Sequence, residues 1–125
     1  MNIEMSIGGD GFYINLEKET IKNSHYRRVL YTTKNMQLVL MSLQPSEEIG
    51  MEKHENTTQF IRVEKGDGVA IIENNRVKLC DGTAIIIQPN KNHNIINTSK
   101  NTELKLYTIY IPPEHKPDTL EHTKQ

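Results

Sequence analysis

Short runs of β-favouring residues, each closed by turn chemistry, recur from Arg27 to Ile111 of this chain. They are RRVLYTT (27–33), MQLVLMSL (36–43), TQFIRVE (58–64), VAIIE (69–73), RVKLC (76–80), TAIIIQ (83–88), HNIIN (93–97) and LKLYTIYI (104–111). Lys34-Asn35, Gln44-Pro45, Lys65-Gly66-Asp67-Gly68, Asn74-Asn75 and Asp81-Gly82 punctuate them. Glycine reaches positive φ without steric cost, and Asn and Asp bond back to their own backbone, so these are turn formers. Strands this short and evenly spaced predict an antiparallel all-β sandwich or barrel, not βαβ units.

Residues 1–26 read as an N-terminal arm, 27–112 as one β-barrel domain and 113–125 as a polar C-terminal tail. NLEKETIKN (15–23) offers one or two helical turns but too few apolar positions for an independent amphipathic face, so it is expected to pack as part of the arm. Beyond Pro112-Pro113 the tail EHKPDTLEHTKQ is polar and carries a further proline, which predicts an extended or frayed end. A net charge of -1 offers no electrostatic footprint for nucleic acid or an anionic membrane, and the basic cluster Tyr26-Arg27-Arg28 is too short to make one. The single cysteine, Cys80, rules out an intrachain disulfide and a cysteine-built zinc site, and suits a reducing interior. The N-terminal stretch has acids where a signal peptide needs an apolar block, and no window approaches a membrane span. A soluble, cytoplasmic protein is the expectation.

Chemistry-bearing residues concentrate near the middle. Glu52 and His54, two apart in an extended segment, point to one side, as a shared ion requires. Period-2 alternation in TQFIRVE sets Gln59, Ile61 and Val63 on one face, the natural inward face of a small barrel, with Gln59 at its mouth. His93 opens a later strand, where two histidines at strand entrances can converge on that mouth. Imidazole with oxygen donors suits a divalent transition ion. Spacing by itself leaves a metal site and an ordinary loop rim both open. His25, His115 and His122 lie in the arm or tail and read as solvated. Cys80 reads as a small strand residue. Arg62, Tyr107 and Tyr110 could line a ligand mouth or brace a dimer face, and LKLYTIYI is apolar enough on both faces that its inward side is undecided.

Gly50 to Tyr110 resembles the cupin family. In the first cupin motif, Glu52-Lys53-His54 takes the His-x-His place, Gln59 the glutamate place and Gly66 the closing glycine. In the second, Gly82, Gln88, Asn90, His93 and Asn97 fall at the intervals of glycine, proline, glycine, histidine and asparagine. EEIGMEKHENTTQFIRVEKGDG and LYTIYIPPEH are similar to a small single-domain, bacterial-type subgroup, which extends the resemblance over Arg27 to His115. It implies a double-stranded β-helix, the RmlC-like jelly roll. It also implies a divalent metal ion (Fe, Mn, Zn or Ni) on Glu52, His54, Gln59 and His93, a homodimer, and a small-molecule ligand. This chain departs from the family pattern in three ways: Glu52 replaces a histidine, neutral Gln59 replaces the glutamate, and Gln88 and Asn90 replace proline and glycine. Isomerase, dioxygenase and decarboxylase chemistry are all compatible with such a site, as is a non-catalytic module for a sugar-like ligand or a degenerate site without metal.

Overall fold

The computed structural model describes residues 7–125. Among them, α1 (Leu16–Lys22) is followed by β1 (Arg27–Thr32), β2 (Gln37–Leu43), β3 (Thr58–Lys65), β4 (Gly68–Ile72), β5 (Asn75–Leu79), β6 (Ala84–Ile87), β7 (His93–Asn97), β8 (Leu104–Ile111) and β9 (Leu120–Glu121). A six-stranded sheet has the order β6-β3-β8-β2-β1-β9, and a smaller sheet the order β5-β4-β7. Every pairing is antiparallel. Between β3 and β8 the chain crosses repeatedly from one sheet to the other, which makes this a jelly roll rather than a meander. The segment ahead of β3 extends the smaller sheet: the Ile49 amide donates to the Ile95 carbonyl at 2.9 Å, and the Asn97 amide to the Glu47 carbonyl at 2.9 Å.

Alternation decides what is buried. On β3, Gln59, Ile61 and Val63 are inside. On β8 the inward set is Leu104, Leu106, Thr108 and Tyr110, all buried between the sheets. The choice follows from register, because Leu106 lies opposite both Met41 and Val63, already committed to the core. Each such apolar side chain contributes about 1.5–3 kcal/mol when fully buried. β2 is buried along its whole length. Its inner face meets the main core, and Leu38 and Leu40 on the outer face are covered by Phe12, Ile14 and Leu16 of the arm. The arm is thus held by a second, smaller core, and α1 gains its start from Asn15, whose side chain accepts from the Lys18 amide at 3.1 Å.

Two details depart from the sequence expectation. Asn75 belongs to β5 and pairs with Ile72, so the β4–β5 turn is Glu73-Asn74, one residue earlier than the Asn-Asn pair suggests. The chain beyond Pro113 also returns to the barrel: β9 adds to the β1 edge, and Arg27 ion-pairs with Glu121. The buried Gln37 makes four side-chain hydrogen bonds, three of which staple this return. Its Oε1 accepts from the amides of Glu114 (3.3 Å) and His115 (3.0 Å), while its Nε2 donates to the His115 carbonyl (2.7 Å) and Thr32 Oγ1 (3.0 Å). No helix among the described residues is long and apolar enough to cross a membrane.

Candidate metal centre

Three side chains meet because of one backbone pairing. Glu52 and His93 are directly opposed, the Glu52 amide donating to the His93 carbonyl at 2.8 Å and the His93 amide to the Glu52 carbonyl at 2.9 Å. Opposed residues of an antiparallel pair project to the same side. His54, two residues beyond Glu52, projects that way too. Its carbonyl accepts from the Asn90 amide at 2.7 Å, and Asn90 adopts φ +67°, the left-handed conformation that asparagine tolerates where the motif has glycine.

Glu52 Oε1 lies 3.8 Å from His54 Nε2 and 4.0 Å from His93 Nε2, and the ligand atoms of the trio all lie within 4.8 Å of one another. Ligands held about 2.0–2.2 Å from a common ion stand about 3–4 Å apart, so the trio is close to coordination geometry. Both imidazoles present the correct nitrogen. His93 Nδ1 is 2.9 Å from the Lys91 carbonyl, which can only accept, so the hydrogen is assigned to Nδ1 and the Nε2 lone pair faces the trio. His54 Nδ1 faces Glu114 Oε2 at 3.4 Å, with the same consequence. His54 Nε2 and His93 Nε2 are buried and have no hydrogen-bond partner. Two unpartnered ring nitrogens beside one carboxylate form the donor set that a divalent ion satisfies, and leaving them empty costs free energy.

Gln59 lies on the inward face of β3, cross-strand from Tyr110. Its Nε2 donates to Thr108 Oγ1 at 3.0 Å, which orients the amide and leaves Oε1 buried without a partner. Tyr110 is buried and sets its ring edge-on to His54, with centroids 5.8 Å apart. Burial, and next the charge of Glu52, hold the Tyr110 phenol protonated well above the usual range; burial likewise pushes Tyr26 up to about 12. Of the other ligand-lining candidates, Arg62 and Tyr107 stand apart from the trio. They pair with each other on the outer face, where Arg62 bonds Glu64 and Tyr107 packs beneath the arm.

His115 is half-buried rather than solvated. Its Nε2 is 3.4 Å from the Tyr110 hydroxyl, and burial, reinforced by the charge of Arg27, pushes its pKa down to about 4. His25 and His122 remain at the surface but touch, Nδ1 to Nδ1 at 2.7 Å. Cys80 is exposed just past β5. Sequence reading did not single out Glu114 or Gln37. The available signal was the PPEH segment, legible as a family fingerprint but not as a contact. A cleft of about 640 Å³ lies at the opposite end of β3 and β8, around Lys65, Gly66, Asp81 and Glu103. Gly66 is required there, because at φ +116° a Cβ would stand 2.8 Å from the Glu103 carbonyl oxygen.

Antiparallel sheets wrapped around a core, with an acid and two imidazoles meeting at one end, define a double-stranded β-helix with a cluster that could hold a metal ion. Residues 39–110 match the cupin domain family, and the chain belongs to it. It is 43% identical over 113 residues to protein L612 of Acanthamoeba polyphaga mimivirus, covering 88% of this chain and 71% of that protein. It is 40% identical over 123 residues to YrkC of Bacillus subtilis strain 168, covering 94% of this chain and 66% of that one. The chain thus spans about two thirds of the length of these relatives. The crystal structure of BH2720 from Bacillus halodurans is similar throughout, with a TM-score of 0.89 and 38% identity over 94% of this chain and 93% of that one. A predicted oxalate decarboxylase from Thermotoga maritima is similar at a TM-score of 0.60 and 26% identity, over 64% of this chain and 69% of that one.

Proposed function

We propose that Glu52, His54 and His93 hold a divalent transition-metal ion, with Gln59 as a neutral fourth donor, and that a small polar metabolite binds and reacts at this centre. One observation carries the reading: two buried, unpartnered imidazole nitrogens face a single carboxylate oxygen. A bound ion there supplies Lewis-acid polarisation of an oxygen ligand. Glu52 offsets only one of its two charges, so the donor set favours metabolites with carboxylate or hydroxyl oxygens. His93 is fixed by the Lys91 carbonyl and keeps its donor nitrogen aimed inward. Protonated Tyr110 sets its ring beside His54 and offers a hydroxyl within the barrel.

Loading with iron, manganese, zinc or nickel, followed by elemental mass spectrometry, is expected to give one ion per chain. His54→Ala and His93→Ala are expected to abolish it. Wild-type metal content in both variants would overturn the reading. A second reading rests on Gln59, whose neutral amide is tied to Thr108 where the family has an acid. In that case the centre binds a sugar-like ligand without converting it, and a metal-loaded protein that turns over nothing in a broad metabolite panel selects this reading.

The same proposal places the protein in a reducing, cytoplasmic compartment, where the exposed Cys80 stays a thiol. It also includes a homodimer, for which edge strand β6 and its exposed Ile86 offer apolar surface. Light scattering that gives a monomer throughout the micromolar range rules the dimer out.

A further inference from the structure

We propose that Glu114 is the positioning residue of the metal centre, and that the C-terminal segment carrying it sets how tightly the centre takes an ion. The inference rests on the metal reading above and goes beyond it, because the segment follows β8 and supplies none of the trio. Four observations converge. First, Glu114 Oε2 stands 3.4 Å from His54 Nδ1, while Glu52 Oε1 stands 3.8 Å from His54 Nε2. The two ring nitrogens lie on opposite edges of the imidazole, so Glu114 sits behind the ligand and not among the ligands. Second, the other Glu114 oxygen is held: Thr57 Oγ1 donates to Oε1 at 2.5 Å, and Thr57 is buried. Third, the backbone at Glu114 and His115 is stapled to fully buried Gln37, so the carboxylate is delivered from a fixed point. Fourth, His93 has its own support in the Lys91 carbonyl, whereas Glu114 is the acceptor that faces His54 Nδ1.

A carboxylate behind a histidine ligand holds the hydrogen on Nδ1, fixes the ring orientation and raises the basicity of Nε2. Loss of such a partner typically weakens metal binding by about 10–100-fold. Ordering of the segment and ion binding are then linked. Whatever factor a seated segment adds to metal affinity, a bound ion adds to seating of the segment.

Two variants and two readouts test this. Glu114→Gln keeps the shape and the Thr57 contact but removes the charge. Thr57→Val keeps the carboxylate but releases its second anchor. Calorimetric titration with zinc is expected to show affinity falling by about 10–100-fold in Glu114→Gln and by less in Thr57→Val. Imidazole ¹⁵N spectra of metal-free protein are expected to show His54 with its hydrogen on Nδ1 in the wild type, and a mixed tautomer in Glu114→Gln. Amide exchange at Glu114 and His115 is expected to slow when zinc binds the wild type and to respond less in the variant. Equal affinities together with unchanged His54 tautomers would overturn the proposal. If the wild type takes none of zinc, iron, manganese and nickel, the metal reading fails, while the tautomer comparison still decides whether Glu114 positions His54.

Discussion

Gln59 concentrates the chemistry of the site in one side chain. A glutamate there would bring a second negative charge to the centre. The amide instead donates to Thr108 Oγ1 and leaves a neutral carbonyl oxygen buried and unpartnered. Gln59→Glu therefore tests charge at nearly constant shape. In metal-free protein the new carboxylate is buried without a cation, and we expect a loss of about 1–3 kcal/mol in denaturant unfolding. With metal present we expect affinity to rise by about tenfold, equivalent to roughly 1.4 kcal/mol. Destabilisation that metal does not relieve would place Gln59 outside the coordination shell. The residue types at Glu52, His54, Gln59 and His93 were legible from motif spacing. Period-2 alternation already sets Arg62 on the face opposite inward Gln59, whereas the side of Tyr107 stays open in the sequence and follows from the register of β8 with β2 and β3. A phenol does not itself say which side of a sheet it is on, and both faces of LKLYTIYI are apolar enough to face a core.

At the scale of elements, the strands followed local signals closely. β7 and β8 match their sequence runs end to end: Ile95-Ile96 centre the first between turn formers, and β-branched, aromatic and apolar residues fill most of the second. The polar C-terminal segment reads as extended or frayed because its own residues carry no periodic apolar face. Its order comes from elsewhere: Gln37 binds the backbone at 114–115, Arg27 pairs with Glu121, and Lys124 donates to the Glu48 carbonyl at 2.6 Å. Gln37 reads as an ordinary polar residue at the start of an apolar strand, and nothing local marks it as a staple. Gln37→Leu, similar in volume, strips the staple and leaves two amides and a carbonyl at 114–115 to find other partners. We expect a loss of about 1–3 kcal/mol, faster exchange of those amides, and weaker zinc binding through the loss of Glu114. Unchanged exchange at 114–115 would contradict this account.

For the whole molecule, acid is the informative perturbation. Burial holds His115 neutral in the fold, with its pKa down at about 4 against 6.5 in an unfolded chain. The unfolded state therefore binds more protons between those values. The contribution is fully present above pH 6.5 and is lost progressively as pH falls towards 4. His25 is also lowered, by burial first and then by His122, so acid opposes it in the same direction. Both histidines touch the C-terminal segment, so unfolding midpoints between pH 7.5 and 5 are expected to fall more steeply for the wild type than for His115→Gln. Parallel slopes would show that His115 is exposed to solvent in the native state. The amino-acid sequence by itself determined the β class, the strand order along the chain, the turn positions to within a residue, and the motif that carries Glu52, His54, Gln59 and His93. These are short-range properties, set by alternation, turn chemistry and spacing. Tertiary structure alone decided the inward face of β8, the coverage of β2 by the arm, and the meeting of Glu52 with His93. It also decided the return of Glu114 behind His54. Each of these is a pairing between segments remote in sequence. Such pairings are selected by burial of a shared core and satisfaction of buried polar groups, which no local pattern encodes.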